Sequence, residues 1–79
     1  MKTYLVTAKK DGKTLESCCH KKFKEALRAG VELAKLNFTE EGVKDVICTC
    51  MALEEEDSGD VNVSFEENGI VLEFTTKEA

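Results

Sequence analysis

The side chains in this sequence best suited to chemistry are four cysteines and one histidine, arranged as Cys18-Cys19-His20 and Cys48-x-Cys50. Thiolates and imidazole are zinc ligands, and about four such donors converging tetrahedrally make a structural site. The usual source is a C-x₂₋₄-C knuckle, whose turn aims two sulfurs at one point, and neither spacing here is a knuckle. On strands, Cys18 and Cys19 would point to opposite faces while Cys48 and Cys50 shared one. A four-thiol site would then need a bulge near Cys18, or His20 in place of one sulfur. The expectation is four small apolar thiols in a reducing compartment, with no cofactor; a small Cys/His metal-binding protein is the alternative. His20 at a strand-to-helix junction could also activate a neighbouring thiolate near a helix N-terminus. No orienting third group accompanies it, and the chain has no Gly-rich phosphate loop, nucleophile elbow or paired catalytic carboxylates. A non-catalytic protein is expected.

A second concentration of functional groups is acidic. Glu54, Glu55, Glu56, Asp57 and Asp60 fall within seven residues, and Glu66 and Glu67 follow at the next turn. Their spacing does not match the calcium-loop pattern, which sets oxygens around one point. Together they read as a recognition patch whose role is steering and charge pairing with Lys and Arg. Charge along the chain supports this. Residues 1–44 carry ten Lys/Arg and six Asp/Glu, whereas residues 45–79 carry one Lys and ten Asp/Glu, so +4 and −9 sum to −5. Nucleic acid is disfavoured as a partner of the acidic half, because each phosphate contact needs a cation and few outward aromatics are available for base stacking. A basic protein surface, including a groove that normally takes nucleic acid, is the complementary one.

The elements that must position these groups begin with two turn dipeptides, Asp11-Gly12 and Asn68-Gly69. Each centres a mirrored alternating run and favours the type I′ hairpin turn, where both central residues need positive φ. Around Asp11-Gly12 a two-residue loop pairs Lys10 with Lys13, Ala8 with Leu15, Val6 with Ser17 and Tyr4 with Cys19. Around Asn68-Gly69, Phe65 pairs with Leu72, Val63 with Phe74 and Val61 with Thr76 on one face. Between the hairpins, Phe23, Ala26, Leu27, Gly30, Leu33 and Ala34 recur at helical spacing, which predicts a helix from Lys21 to about Leu36. Gly30 falls in its buried stripe and marks a close approach of helix to sheet. Thr39 is read as the cap of one short turn. Asp45 to Leu53, with the β-rich run Val46-Ile47-Cys48-Thr49-Cys50, is predicted as a third strand. The fold class is therefore α+β: residues 1–79 as a single domain, a mostly antiparallel five-stranded sheet with one helix on one face, order β-β-α-β-β-β.

A single helix would leave the outer sheet face partly uncovered. Leu5, Cys18, Val71 and an alternate set from the third strand would form an apolar patch there, suited to a homodimer. Met1–Val6 has one charge and its apolar run ends at Lys9, far short of a secretory signal; no segment approaches the roughly 20 apolar residues that span a bilayer. The expected compartment is the cytoplasm, with no membrane association. The function expected is a small acidic protein-binding module or inhibitor that engages a basic surface of a larger protein. An inhibitor occupying a nucleic-acid site, such as a phage-encoded inhibitor of a host defence nuclease, is its sharpest form. A homo-oligomeric structural protein is the alternative from another class.

Overall fold

The computed structural model describes residues 1–78. Strands β1 (Lys2–Lys10) and β2 (Lys13–His20) form the first hairpin, and helices α1 (Phe23–Asn37) and α2 (Glu40–Glu56) follow. Strands β3 (Asn62–Glu67) and β4 (Ile70–Glu78) form the second hairpin. The sheet is antiparallel and four-stranded, in the order β2-β1-β4-β3. The expected five strands and single helix are thus corrected to four strands and two helices. The error centres on residues 45–53, which are the body of α2 rather than a strand, and extends to residues 40–44 and 54–56, which complete the helix.

Both hairpin turns form as their residue types require. Asp11 and Gly12 have φ of 52° and 79°, and Asn68 and Gly69 have 51° and 80°. The second hairpin keeps the predicted register, with Phe65 opposite Leu72 and Val63 opposite Phe74. Beyond the ladder, Val61 N donates to Thr76 Oγ1 at 2.7 Å. The first hairpin departs from the predicted register after Lys9. Its pairing shifts between Ala8 and Lys9, leaving Leu15 as an extra residue on β2, 51% exposed. Ala8 therefore meets Glu16, Val6 meets Cys18 and Tyr4 meets His20. A one-residue slip exchanges faces, so Cys18 turns inward and Cys19 outward.

The hairpins join through β1 and β4, where Val6 lies opposite Phe74 and Ala8 opposite Leu72. Tyr4, Val6, Ala8, Leu72 and Phe74 are all buried on one face, in a core closed by Ala26, Leu27, Leu33 and Ala34 of α1 and Val46 and Cys50 of α2. Gly30 permits the close approach its position implied: a Cβ there would overlap the Phe74 ring. The rings of Phe65 and Phe74 meet edge-on, with centroids 6.0 Å apart. The opposite face carries Thr3, Leu5, Thr7, Glu73, Thr75 and Val71. Without a third-strand contribution, and with Cys18 turned in, this face is not the apolar patch expected of it. Thr7 is buried at its centre among small and polar neighbours, its Oγ1 lying 3.4 Å from Ser17 Oγ.

Candidate functional site

Helix α2 governs the placement of most candidate residues. Its start is defined by Thr39, whose side chain accepts from Gly42 N as an N-cap. Its periodicity is carried by Val43, Val46, Cys50 and Leu53, at spacings of three and four; Val46 and Cys50 are buried, and the other two pack against the core. It ends at Asp57, in the left-handed conformation with φ 50°, whose N–H donates to Leu53 O.

The acidic residues fall in three places. Glu54, Glu55 and Glu56 form the last turn of α2, and Asp57 is its C-cap. No basic residue stands in that turn to offset the partial negative charge of the helix end. Asp60, in the following loop, pairs with Lys2 at 2.9 Å, and that hydrogen-bonded carboxylate raises the Lys2 ammonium above its ordinary pKa. Tyr4 Oη donates to Gly59 O at 2.8 Å and fixes the loop to the sheet. The Glu54–Asp60 run is therefore a helix end plus a tethered loop.

Glu66 and Glu67 lie elsewhere. The Glu67 carboxylate accepts from Thr39 N at 2.6 Å and from Thr39 Oγ1 at 2.8 Å, at the opposite end of α2. From Thr39 to Glu54 the helix runs about 22 Å, at roughly 1.5 Å per residue. Glu67 is thus a structural cap for the two-helix turn. Glu66, opposite Val71, points to the other side of the sheet. The structure brings together Glu54, Glu55, Glu56 and Asp57, with Asp60 adjoining, and separates Glu66 and Glu67 from them.

The thiols are dispersed as well. Cys18 faces the core from β2, with Sγ 3.8 Å from Val6 O; Cys19 is exposed on the other face. Cys50 is buried against α1, with Sγ 3.9 Å from Leu27 O, and Cys48 is exposed. No group of three or more His, Cys, Asp or Glu side chains suited to a metal converges among the described residues. Burial, reinforced by the charge of Glu16, pushes the Cys18 thiol up, and burial next to Glu54 raises Cys50 to about 11. Both shifts oppose the thiolate that a Cys–His nucleophile would require. His20 Nε2 is buried without a hydrogen-bond partner among the described residues.

A feature outside the sequence reading is the groove between the two helices. They are joined by only Phe38 and Thr39 and run antiparallel, with Cys50 beside Leu27. On their outward side lies a depression of about 350 Å³, floored by Leu27 and Cys50 and walled by Val31, Ile47 and Met51. Met51 is 60% exposed there. Arg28, Glu32 and Glu54 stand on the rim, and a smaller adjoining depression is lined by Lys24, Met51, Glu54 and Glu55. The groove exists only because residues 45–53 are helical, so a strand assignment conceals it.

No family model matches the chain, and searches of curated proteins and of solved structures return no significant match. No helix among the described residues is long and apolar enough to cross a membrane.

Proposed function

We propose that this protein is a non-catalytic binding module that engages a basic surface of a larger protein through the C-terminal end of α2. The observation that carries the reading is the set of four consecutive carboxylates, Glu54 to Asp57, at the negative end of a helix that has no basic residue in its last turn. Anionic side chains there oppose the helix dipole, each by about 0.3–1 kcal/mol at low ionic strength. A small domain that keeps such an end carries local frustration, and a cationic partner relieves it. Asp60 extends the acidic surface from a loop tethered by Tyr4 and Lys2. Four free cysteines favour a reducing compartment such as the cytoplasm. An inhibitor that covers a nucleic-acid groove is the sharpest form of the proposal, since such a groove is a preformed basic surface.

The test is affinity capture from the source organism at low and high salt, with bound proteins identified by mass. The expected result is one basic partner, lost as salt rises and lost in the Glu56→Lys/Asp57→Lys variant. Glu66→Lys should retain it, because Glu66 lies at the far end of the molecule. A partner lost equally in all variants, or in none, would place the binding surface elsewhere.

A further inference from the structure

At the end where α1 begins and α2 finishes, the α1–α2 groove carries unpaired charges of opposite sign on its two sides; Glu32, further along α1, also lines the groove and is paired with Lys35. Ion pairs among the described residues join Lys2 to Asp60, Lys9 to Glu73 and Lys35 to Glu32, so Lys24, Arg28, Glu54 and Glu55 enter none of them. Lys24 and Arg28 stand on α1; Glu54 and Glu55 stand on α2 at the same height, because the helices are antiparallel. Between them lie the half-buried Val31 and Ile47 and the exposed Met51, all apolar. A surface with an apolar centre and opposite charges on its flanks is complementary to itself under a two-fold rotation.

We propose that two copies of this chain pair through the outward face of α1 and α2, with the two-fold axis running parallel to the helices. This operator lays α1 of one copy over α2 of the other and preserves height along the axis. Lys24 and Arg28 then face Glu54 and Glu55 of the second copy, twice, while Met51 and Ile47 meet across the centre. An axis perpendicular to the helices would instead set the Glu54–Glu56 end of one α2 over Glu40 and Glu41 at the start of the other, which is like charge on like. At the other end of the favoured arrangement, Lys35 approaches Glu40 and Lys44, one of each sign.

The size of the face sets the strength. Two helices side by side cover about 20 Å by 23 Å. That is roughly 450 Å² per copy, near the lower bound of about 1,000 Å² in total for a specific interface. The dimer is therefore reversible and concentration-dependent. Because height is preserved, both α2 C-termini emerge at one end, and Glu56 and Asp57 of the two copies form one doubled acidic surface. The pairing does not depend on the partner proposed above, and its test is read without that partner.

The test is sedimentation equilibrium of the full chain from micromolar to millimolar concentration, at low and moderate salt. The expected result is a monomer–dimer equilibrium that salt weakens. Met51→Glu should raise the dissociation constant at least tenfold while leaving the fold intact, because Met51 is already largely exposed. Lys24→Glu and Glu54→Lys should each weaken dimerisation severalfold, and the double variant carrying both should recover it, since exchanging the signs restores the symmetric pairs. A monomer throughout the range overturns the proposal. So does a dimer indifferent to Met51→Glu, or a double variant no tighter than the single ones.

Discussion

At the scale of single residues, the sharpest constraint is the contact between Gly30 and Phe74. Alanine normally stabilises a helix interior by about 1 kcal/mol over glycine. Here a Cβ would overlap the Phe74 ring, which is 1% exposed and has neighbours on every side. Overpacking of this kind costs about 1–3 kcal/mol, so the clash outweighs the propensity. Gly30→Ala should therefore destabilise the protein to urea, and in a Phe74→Leu background the same change should cost much less. A stabilised Gly30→Ala protein would show that the helix stands further off the sheet. Cys50 supplies a second residue-scale prediction. Burial next to Glu54 raises its thiol from the ordinary value of 9.0 to about 11. The folded state then holds a proton that the unfolded state releases. This contribution is fully present below pH 9 and is lost as pH rises from about 9 to about 11. Unfolding free energy should fall across that window, and Cys50→Ala should flatten the fall. In the native protein Cys19 and Cys48 should react quickly with a thiol reagent and Cys50 only on unfolding; rapid labelling of Cys50 would contradict its burial.

Helix α2 is the element on which sequence and structure part. The hairpins and α1 were legible because turn chemistry, alternation and helical spacing agreed in each, so Asn68-Gly69 gave its register correctly and Gly30 its close approach. Residues 45–53 carried conflicting signals. The run Val46-Ile47-Cys48-Thr49-Cys50 has strong β propensity, while Val43, Val46, Cys50 and Leu53 keep the helical period behind a Thr39 cap. Burial along that period decided the outcome, since propensity is weaker than packing of an amphipathic face. Leu15 illustrates a different limit, because a one-residue bulge leaves no mark in an alternating pattern and yet reversed Cys18 and Cys19. The same helix carries a prediction at each end. Glu67 accepts two hydrogen bonds from Thr39 at its start, so Glu67→Ala should cost about 1–2 kcal/mol, with faster amide exchange confined to the first turn of α2. At its other end, Asp57 adopts a left-handed conformation that glycine occupies without strain. Asp57→Gly should raise stability by about 0.5–1 kcal/mol, and with it the denaturant midpoint, while weakening binding of a basic partner. Gain of stability with binding unchanged would remove Asp57 from the recognition surface.

Seen whole, the described residues form two layers, with helices on one face of the sheet and none on the other, and the first and last strands pair at the centre of that sheet. Strand β4 is the hub. It pairs with β1 and β3, and its inner residues Leu72 and Phe74 are each 1% exposed beneath the helices. Joining β1 to β4 closes most of the chain into a loop, at an entropic cost of about 3–4 kcal/mol for roughly 60 residues. A domain of this length has about 4–12 kcal/mol of net stability, so the seam must be held by the core beneath it. Leu72→Ala should cost about 2–5 kcal/mol, a large part of the total, because it opens a cavity between the sheet and α1. Val71→Ala, one residue away on the open face, should cost less than about 1 kcal/mol. Urea unfolding of the two variants compares the faces directly. Equal losses would mean that something also covers the outer face, and pairing through the sheet would then replace pairing through the helices.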